Sequence, residues 1–387
     1  MTSQKIAIIG AGIAGLTVAH RLQTLPNVQI TLFEKARGVS GRTSTRRAEP
    51  HHFDHGAPFF IAKSDEFQTF INPMLEAGVL SDWQAKVAEV SGTQVTDQYQ
   101  WQANRYFVAQ PKMNEMAKFI AKQLTNNVEI KLGTRVGKIE KVDLDVENLE
   151  HSQDTNAETQ HSTQDSSQQW QLTSDTGAKV NKAIGTPLAL GEQGDLGNFD
   201  WVICTAPPEQ AVELIPSSLP FYPRIEQSKT DGCYALMLGF DTPLDINFDV
   251  ALIKDSALSR IVVNSQKPMR PDAYSLTILS SNQWAEQHID ADQEWVKSEL
   301  LKATSDVLKI EPEKLQQATH MGMHRWRYAN TSPELEQYNQ NQSAYLLDTE
   351  AQLGVAGDWL IKGSVENAFR SGDALANSLI KALADSQ

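Results

Sequence analysis

The chain has 387 residues, 40% of them hydrophobic, with 34 Lys+Arg against 48 Asp+Glu and a net charge of −14. That length suits about two domains with a large core, and the acidic balance argues against nucleic acid and anionic membrane as general partners. Only two cysteines occur, Cys204 and Cys233, with no CxxC, which excludes a zinc ribbon, a thioredoxin-type site and a disulfide framework.

Residues 5–9 form a nearly continuous apolar run, as expected of a parallel strand buried on both faces. No leader-like segment precedes it, and no apolar run approaches the ~20 residues that span a bilayer. The chain therefore reads as reduced, soluble and cytoplasmic. Ala14–Gln23 has helical spacing and Val28–Phe33 reads as a second strand, completing a βαβ unit. Glu66–Ala77 and Met113–Leu124 are further helices, the first weakened by Pro73. Val128–Leu132 and Val136–Val142 read as strands. Residues 143–169 are almost wholly polar and read as a surface insertion between strands. Strand character resumes at Trp170–Leu172 and at Trp201–Thr205, which makes Cys204 a buried thiol. Tyr234–Phe240, Ser259–Val263 and Tyr274–Leu279 are β-type segments of a second, more antiparallel unit, followed by a helix over Gln293–Val307. A short strand at Leu353–Gly357 leads into a C-terminal helix marked by Val365, Phe369, Leu375, Leu379 and Leu383.

The fold class is α/β: a three-layer, Rossmann-like dinucleotide-binding domain with a discontinuous mixed-sheet substrate domain. The expected boundaries are 1–70, 110–230 and 327–387 for the first, and 71–109 and 231–326 for the second.

Gly10-Ala11-Gly12-Ile13-Ala14-Gly15 follows a strand and opens a helix, the context in which GxGxxG acquires meaning. Gly10 allows the tight turn, Gly12 lets backbone approach a pyrophosphate, and Gly15 lets helix and strand pack closely, with the helix N-terminus facing the negative charge. Glu34 ends the second strand and is placed to accept hydrogen bonds from ribose hydroxyls. This pattern does not separate NAD from FAD. The segment that follows, Glu34-Lys35-Ala36-Arg37-Gly38-Val39-Ser40-Gly41-Arg42, would wrap a basic, glycine-containing loop around the same dinucleotide.

That segment resembles the glycine-arginine motif of the flavin amine oxidase superfamily and, within it, the renalase-like proteins. Phe53-Asp54-His55-Gly56-Ala57, Thr205-Ala206-Pro207-Pro208, His324-Arg325-Trp326-Arg327-Tyr328-Ala329, Gly357-Asp358-Trp359 and Val365–Gly372 are similar to later landmarks of those proteins, in the same order along the chain. The resemblance implies FAD, held non-covalently. Its cofactor contacts would fall on Gly10, Gly12, Ile13, Ala14, Gly15, Glu34, Lys35, Arg37, Gly41, Arg42, His55, Gly56, Ala57, Ala206, Pro207, Gly357, Asp358 and Ala368. Val136 would meet adenine through its backbone, and Ser364, Val365 and Glu366 would open a helix whose N-terminus faces the flavin. Phe59, Phe60, His324, Trp326 and Tyr328 are candidate walls of a substrate pocket. Three departures stand out. Ser40 replaces the first glycine of a Gly-Gly-Arg, Pro58 replaces a glutamine, and Ile361-Lys362-Gly363 has no cysteine for covalent flavin attachment.

The implied activity is a hydride-accepting oxidase acting on a small substrate, misreduced dihydronicotinamide isomers of NAD(P)H, with O2 as electron acceptor and H2O2 as product. An amine oxidase, a single-component flavin monooxygenase and a non-catalytic flavin or nucleotide sensor remain alternatives. No second nucleotide fingerprint occurs, since Gly191–Gly197 has the wrong spacing and no preceding strand. His320 and His324 lack a carboxylate at metal-ligand spacing, and His51-His52-Asp54-His55 reads as a loop beside the flavin, so no metal is expected.

Overall fold

The computed structural model describes residues 3–143, 168–175 and 194–385. Residues 144–167 of the polar stretch and residues 191–193 of the second glycine-rich run lie outside them.

A six-stranded sheet runs in the order Val128–Leu132, Val28–Glu34, Gln4–Ile9, Trp201–Cys204, Leu353–Ala356, Tyr345–Asp348. Its first five strands are parallel and the last is antiparallel. Period-two alternation splits the apolar residues between two faces. Ile6, Ile8, Ile30, Leu32 and Ile203 join the core beneath the helices Ile13–Leu22, Glu115–Lys122 and Val365–Asp385. Ala7, Ile9, Phe33, Val202 and Cys204 join the opposite core. Burial on both sides explains why these strands read as unbroken apolar runs. The helices Ile13–Leu22 and Val365–Asp385 cross closely at Gly372, where a Cβ would overlap the backbone of Ala14.

The opposite core is closed by an antiparallel three-stranded sheet, Val136–Asp143, Gln168–Ser174 and Asp195–Phe199, through Val136, Ile139, Trp170 and Leu172. Asp143 pairs with Gln168 and Val142 with Gln169. These three polar-stretch residues, Asp143, Gln168 and Gln169, are thus strand residues, because ladder pairing needs only their backbone.

A second, seven-stranded sheet has the order His320–Thr331, Thr230–Phe240, Tyr274–Ser280, Leu258–Val263, Val250–Lys254, Lys86–Ser91, Gln94–Gln100. All its pairs are antiparallel except Val250–Lys254 with Lys86–Ser91. Tyr234, Leu236, Leu238, Ile261 and Ile278 face Val296, Leu300 and Val307 of the helix Gln293–Leu308. The other, inner face looks toward the His51–Asp54 strand, where Ser275 Oγ donates to the His52 carbonyl. The helix Asp65–Glu76 continues through Pro73, whose carbonyl accepts the Ala77 amide, so the expected weakening does not end it there.

Candidate functional site

The glycine-rich turn is held open by backbone geometry and by one carboxylate. Gly10 sits at φ +107°, a conformation that L side chains rarely adopt, and its amide donates to the Phe33 carbonyl. A Cβ on Gly15 would overlap the Gly10 carbonyl, which is why helix and strand can touch. A Cβ on Gly12, at the N-cap of Ile13–Leu22, would meet nothing within 4 Å. The first-turn amides of a helix have no intrahelical acceptors and carry its positive end, so this open space suits a pyrophosphate. Buried Glu34 accepts from the Ala11 amide at 2.9 Å and from the Ala36 amide at 2.7 Å, clamping the turn to the end of the second strand. The Gly133 and Thr134 amides bond the Ala36 and Glu34 carbonyls, which brings the segment leading into Val136 to the same side.

The loop after Glu34 folds back on this turn. Lys35, Ala36, Arg37 and Gly38 are exposed, and Lys35 Nζ donates to Gln210. The Ser40 amide bonds the Ala11 carbonyl at 3.0 Å, with Ser40 held at φ +139°. Gly41, at φ +54°, approaches the Gly12 backbone. Arg42 forms an ion pair with buried Asp358 and donates to the Ala329 carbonyl at 3.0 Å. Its own carbonyl accepts the Ala57 amide, and it leaves no room for a Cβ at Gly56. Trp359 Nε1 donates to the Ala206 carbonyl, and Pro207 precedes the helix Pro208–Leu214. The Gly357 amide donates to Ser371 Oγ. Ser364 Oγ accepts the Asn367 amide as a cap, while the Glu366 carboxylate accepts the Lys63 and Ser64 amides, so that side chain ties the two helices together. Ala368 packs on the helix-side core.

Between this cradle and the seven-stranded sheet lies an imidazole–indole cluster. His55 is stacked on Trp326 with centroids 5.3 Å apart and meets His324 edge-on at 5.0 Å. Trp326 Nε1 donates to the His55 carbonyl. Burial lowers the His55 pKa to about 3, helped by His324 and Arg46, and burial lowers His324 to about 4. Both rings are therefore uncharged at neutral pH. Among the described residues His55 Nδ1 is buried without a hydrogen-bond partner, an opening for a bound group.

The remaining pocket candidates separate. Phe59 and Phe60 are consecutive residues of an extended segment and point to opposite sides. Phe60 is buried and packs on Phe67 and Phe107. Phe59 is half-buried and joins Trp83, Trp101 and Tyr106. Tyr328, two residues beyond Trp326 on the strand His320–Thr331, is raised in pKa by burial and then by Glu209 and Glu213 of the helix Pro208–Leu214.

Sequence reasoning quoted Asp54 only within the Phe53–Ala57 landmark and the histidine cluster, and did not single out Lys267 or Arg270. Asp54 accepts from Lys267 at 2.8 Å and Arg270 at 2.6 Å, all three nearly inaccessible. Burial would raise the Asp54 pKa, but the two cations outweigh it and hold the carboxyl well below its usual range, while burial brings Lys267 down to about 8. Among the described residues no group of three or more His, Cys, Asp or Glu is disposed to hold a metal, and no helix is long and apolar enough to cross a membrane.

The comparisons agree with this architecture. A family model for flavin containing amine oxidoreductases matches residues 62–380, and one for an NAD(P)-binding Rossmann-like domain matches residues 8–73. The bovine prenylcysteine oxidase 1-like protein is 43% identical over 72 residues, 18% of this chain and 14% of that protein. The human one is 44% identical over 69 residues, so the match spans about a seventh of those relatives. Among solved structures, a putative protoporphyrinogen oxidase from Exiguobacterium sp. 255-15 is similar with TM-score 0.67 at 12% identity, covering 98% of this chain and 99% of that one. Wild-type putrescine oxidase bound to putrescine is similar with TM-score 0.61 at 11% identity, again over 98% and 99% of the two chains. The chain belongs to the flavin-containing amine oxidoreductase family, and FAD is the cofactor that membership brings.

Proposed function

We propose that this family member is a renalase-like oxidase that takes a hydride from misreduced dihydronicotinamide isomers of NAD(P)H and delivers the electrons to O2. The reaction balances as dihydro isomer plus O2 plus one proton giving NAD(P)+ and H2O2. Bound FAD supplies the hydride acceptor at its N5. The turn at Gly10–Gly15 would hold the pyrophosphate, Glu34 the ribose and Val136 the adenine. Arg42 and Asp358 would fix the loop around the cofactor, and the amides at Val365 and Glu366 would face the flavin edge that gains charge. No cysteine occurs at residues 361–363 to form a covalent link. The two free, buried cysteines suit a reducing compartment, in keeping with a cytoplasmic enzyme.

The observation that carries the substrate reading is the uncharged His55–His324–Trp326 cluster. Hydride loss from a dihydronicotinamide restores an aromatic pyridinium, so the reaction needs flat apolar faces and no general base. Imidazoles with pKa values of about 3 and about 4 are poor proton acceptors at pH 7 and good stacking surfaces. Anaerobic mixing with 2- or 6-dihydro isomers is expected to bleach the flavin rapidly, and ordinary 4-dihydro NAD(P)H and simple amines slowly or not at all. Fast bleaching by a simple amine alone replaces this reading with the amine oxidase that the family match and the putrescine oxidase fold favour. Steady-state turnover with O2 separates either enzyme from a flavin sensor.

A further inference from the structure

Arg260 lies in the Leu258–Val263 strand of the seven-stranded sheet. One row of directly opposed residues crosses that sheet from His324 through Ala235 and Leu279 to Arg260. Opposed residues on neighbouring antiparallel strands project from the same side. His324 and Arg260 therefore rise from one floor, three strand spacings or about 14 Å apart at the ~4.8 Å separation of paired strands. Ala235 and Leu279 between them belong to the apolar patch that Trp326 completes.

The guanidinium has an unusual environment. Arg260 is exposed, yet protein surrounds it so closely that burial lowers its pKa. The register places it on the inner face of the sheet, the face that carries His324, with its side chain open to solvent. Its Cζ is 5.7 Å from the centre of the Phe59 ring, and Phe59 in turn meets Trp101 at 4.5 Å. Among the described residues the Arg260 side chain has no hydrogen bond and no ion pair. Of the other cations on this side, Lys267 and Arg270 are both satisfied by Asp54, while half-buried Arg46 lies beside His55 and His324. Arg260 thus presents a solvent-accessible guanidinium on the inner face with no carboxylate beside it among the described residues, and a planar guanidinium matches the two oxygens of a carboxylate or phosphate.

We propose that Arg260 is the anion-recognising residue of the substrate recess, and that the substrate carries a carboxylate or phosphate at the end remote from His324. The proposal rests on the reading that the inner face of this sheet receives the substrate. A compound with a flat reacting ring at the His55–His324–Trp326 end would then be oriented by its charged end against Arg260 and Phe59.

The test uses the purified holoenzyme and the perturbation of its oxidised flavin spectrum by two ligand pairs that differ in an anionic group. These are nicotinamide mononucleotide against nicotinamide riboside for phosphate, and N-nicotinoyl-γ-aminobutyrate against its primary amide for carboxylate. The wild type is expected to bind the charged member of at least one pair tenfold or more tighter, and the responding pair identifies the anion. Arg260→Met should erase that preference with FAD content unchanged, and Arg260→Lys should restore part of it. If Arg260→Met loses FAD, Arg260→Gln takes its place in the comparison. Equal binding within both pairs, no spectral response to either charged ligand, or a preference that survives loss of the guanidinium overturns the proposal. A preference that depends on Arg260 in an enzyme that no dihydro isomer reduces leaves the anion subsite standing and removes the hydride-donor reading alone.

Discussion

Arg42 and Asp358, 316 positions apart in sequence, are joined by an ion pair that closes the glycine-arginine loop onto the last strand of the parallel sheet. The same guanidinium reaches the Ala329 carbonyl. Three chain-distant segments therefore converge on one side chain, and its planar fork can serve two acceptors in fixed directions where a lysine would serve them as a point charge. The cradle at Gly10–Gly15 is thus walled by residues from both ends of the chain. Loosening either end should be felt at the other.

Ser40 offers a direct probe of that loop. Its φ of +139° is a glycine conformation, and non-glycine residues held there carry roughly 1–3 kcal/mol of strain. Replacing it with glycine relieves the strain against a backbone-entropy loss of about 0.5–1 kcal/mol. Ser40→Gly is expected to stabilise the protein by about 1 kcal/mol, a rise in melting temperature of roughly 1–3 °C, with FAD content unchanged. A lower melting temperature would show that the serine side chain contributes more than its backbone strain removes.

Two glycines of one fingerprint should fail in different ways. Gly12 has φ −77°, which valine tolerates, and open space around its missing Cβ. Gly12→Val should fold, with an apoprotein melting temperature close to that of wild-type apoprotein, and retain little or no FAD, because the new side chain fills the space the pyrophosphate needs. Gly15→Val drives a side chain into the Gly10 carbonyl and should fold poorly even without cofactor. Absorbance at the flavin bands together with thermal denaturation of the apoproteins distinguishes the two. Normal FAD content in Gly12→Val would remove the pyrophosphate assignment.

The parallel strands, the glycine-rich turn, Glu34 and the C-terminal helix were legible because each is a local pattern: an apolar run, a fixed spacing, a 3.6-residue period. Arg260 was not legible, because its place depends on cross-strand register with Leu279 and, beyond it, Ala235 and His324. Nor was the Asp54 network, whose cations lie 213 and 216 residues away. That Phe60 packs inward was not legible for a simpler reason. Aromatic character alone does not say which side of an extended segment faces the core, and its neighbour Phe59 took the other side. His55 and His324 were legible as candidates only through family resemblance, and their mutual contact and low pKa values come from burial that composition cannot express.

Asp54→Asn tests how far the two enclosed cations depend on one carboxylate. The substitution keeps shape but leaves Lys267 and Arg270 buried without a counter-charge. Removing one partner of a buried charged network typically destabilises by about 3–5 kcal/mol. A loss of that size in chemical denaturation is expected, and adding Lys267→Met should recover part of it by removing one orphaned cation. A loss under about 1 kcal/mol would mean that water reaches the network and screens it.

The pH dependence of stability should carry the signature of His55 and His324. Their folded pKa values, about 3 and about 4, lie below the ordinary value of 6.5. Well above pH 6.5 neither the folded nor the unfolded chain protonates them, and their burial carries no pH-dependent penalty. As pH falls below 6.5 the unfolded chain takes up protons that the folded chain refuses, so stability drops until the folded pKa values are reached. Each ring can contribute a slope of up to roughly 1.4 kcal/mol per pH unit in that window. Asp54 acts in the same direction but lower, since its folded carboxyl titrates below the usual value of 3.8. Unfolding free energies measured from pH 8 to pH 4 should therefore be nearly flat well above pH 6.5 and fall through and below it, with His20 and His320, also lowered by burial, adding to the slope, and His324→Gln should reduce that slope. An unchanged slope in that variant, or a fall that begins only near pH 4, would place the acid sensitivity in the carboxylates and leave the imidazoles free to protonate in the folded state.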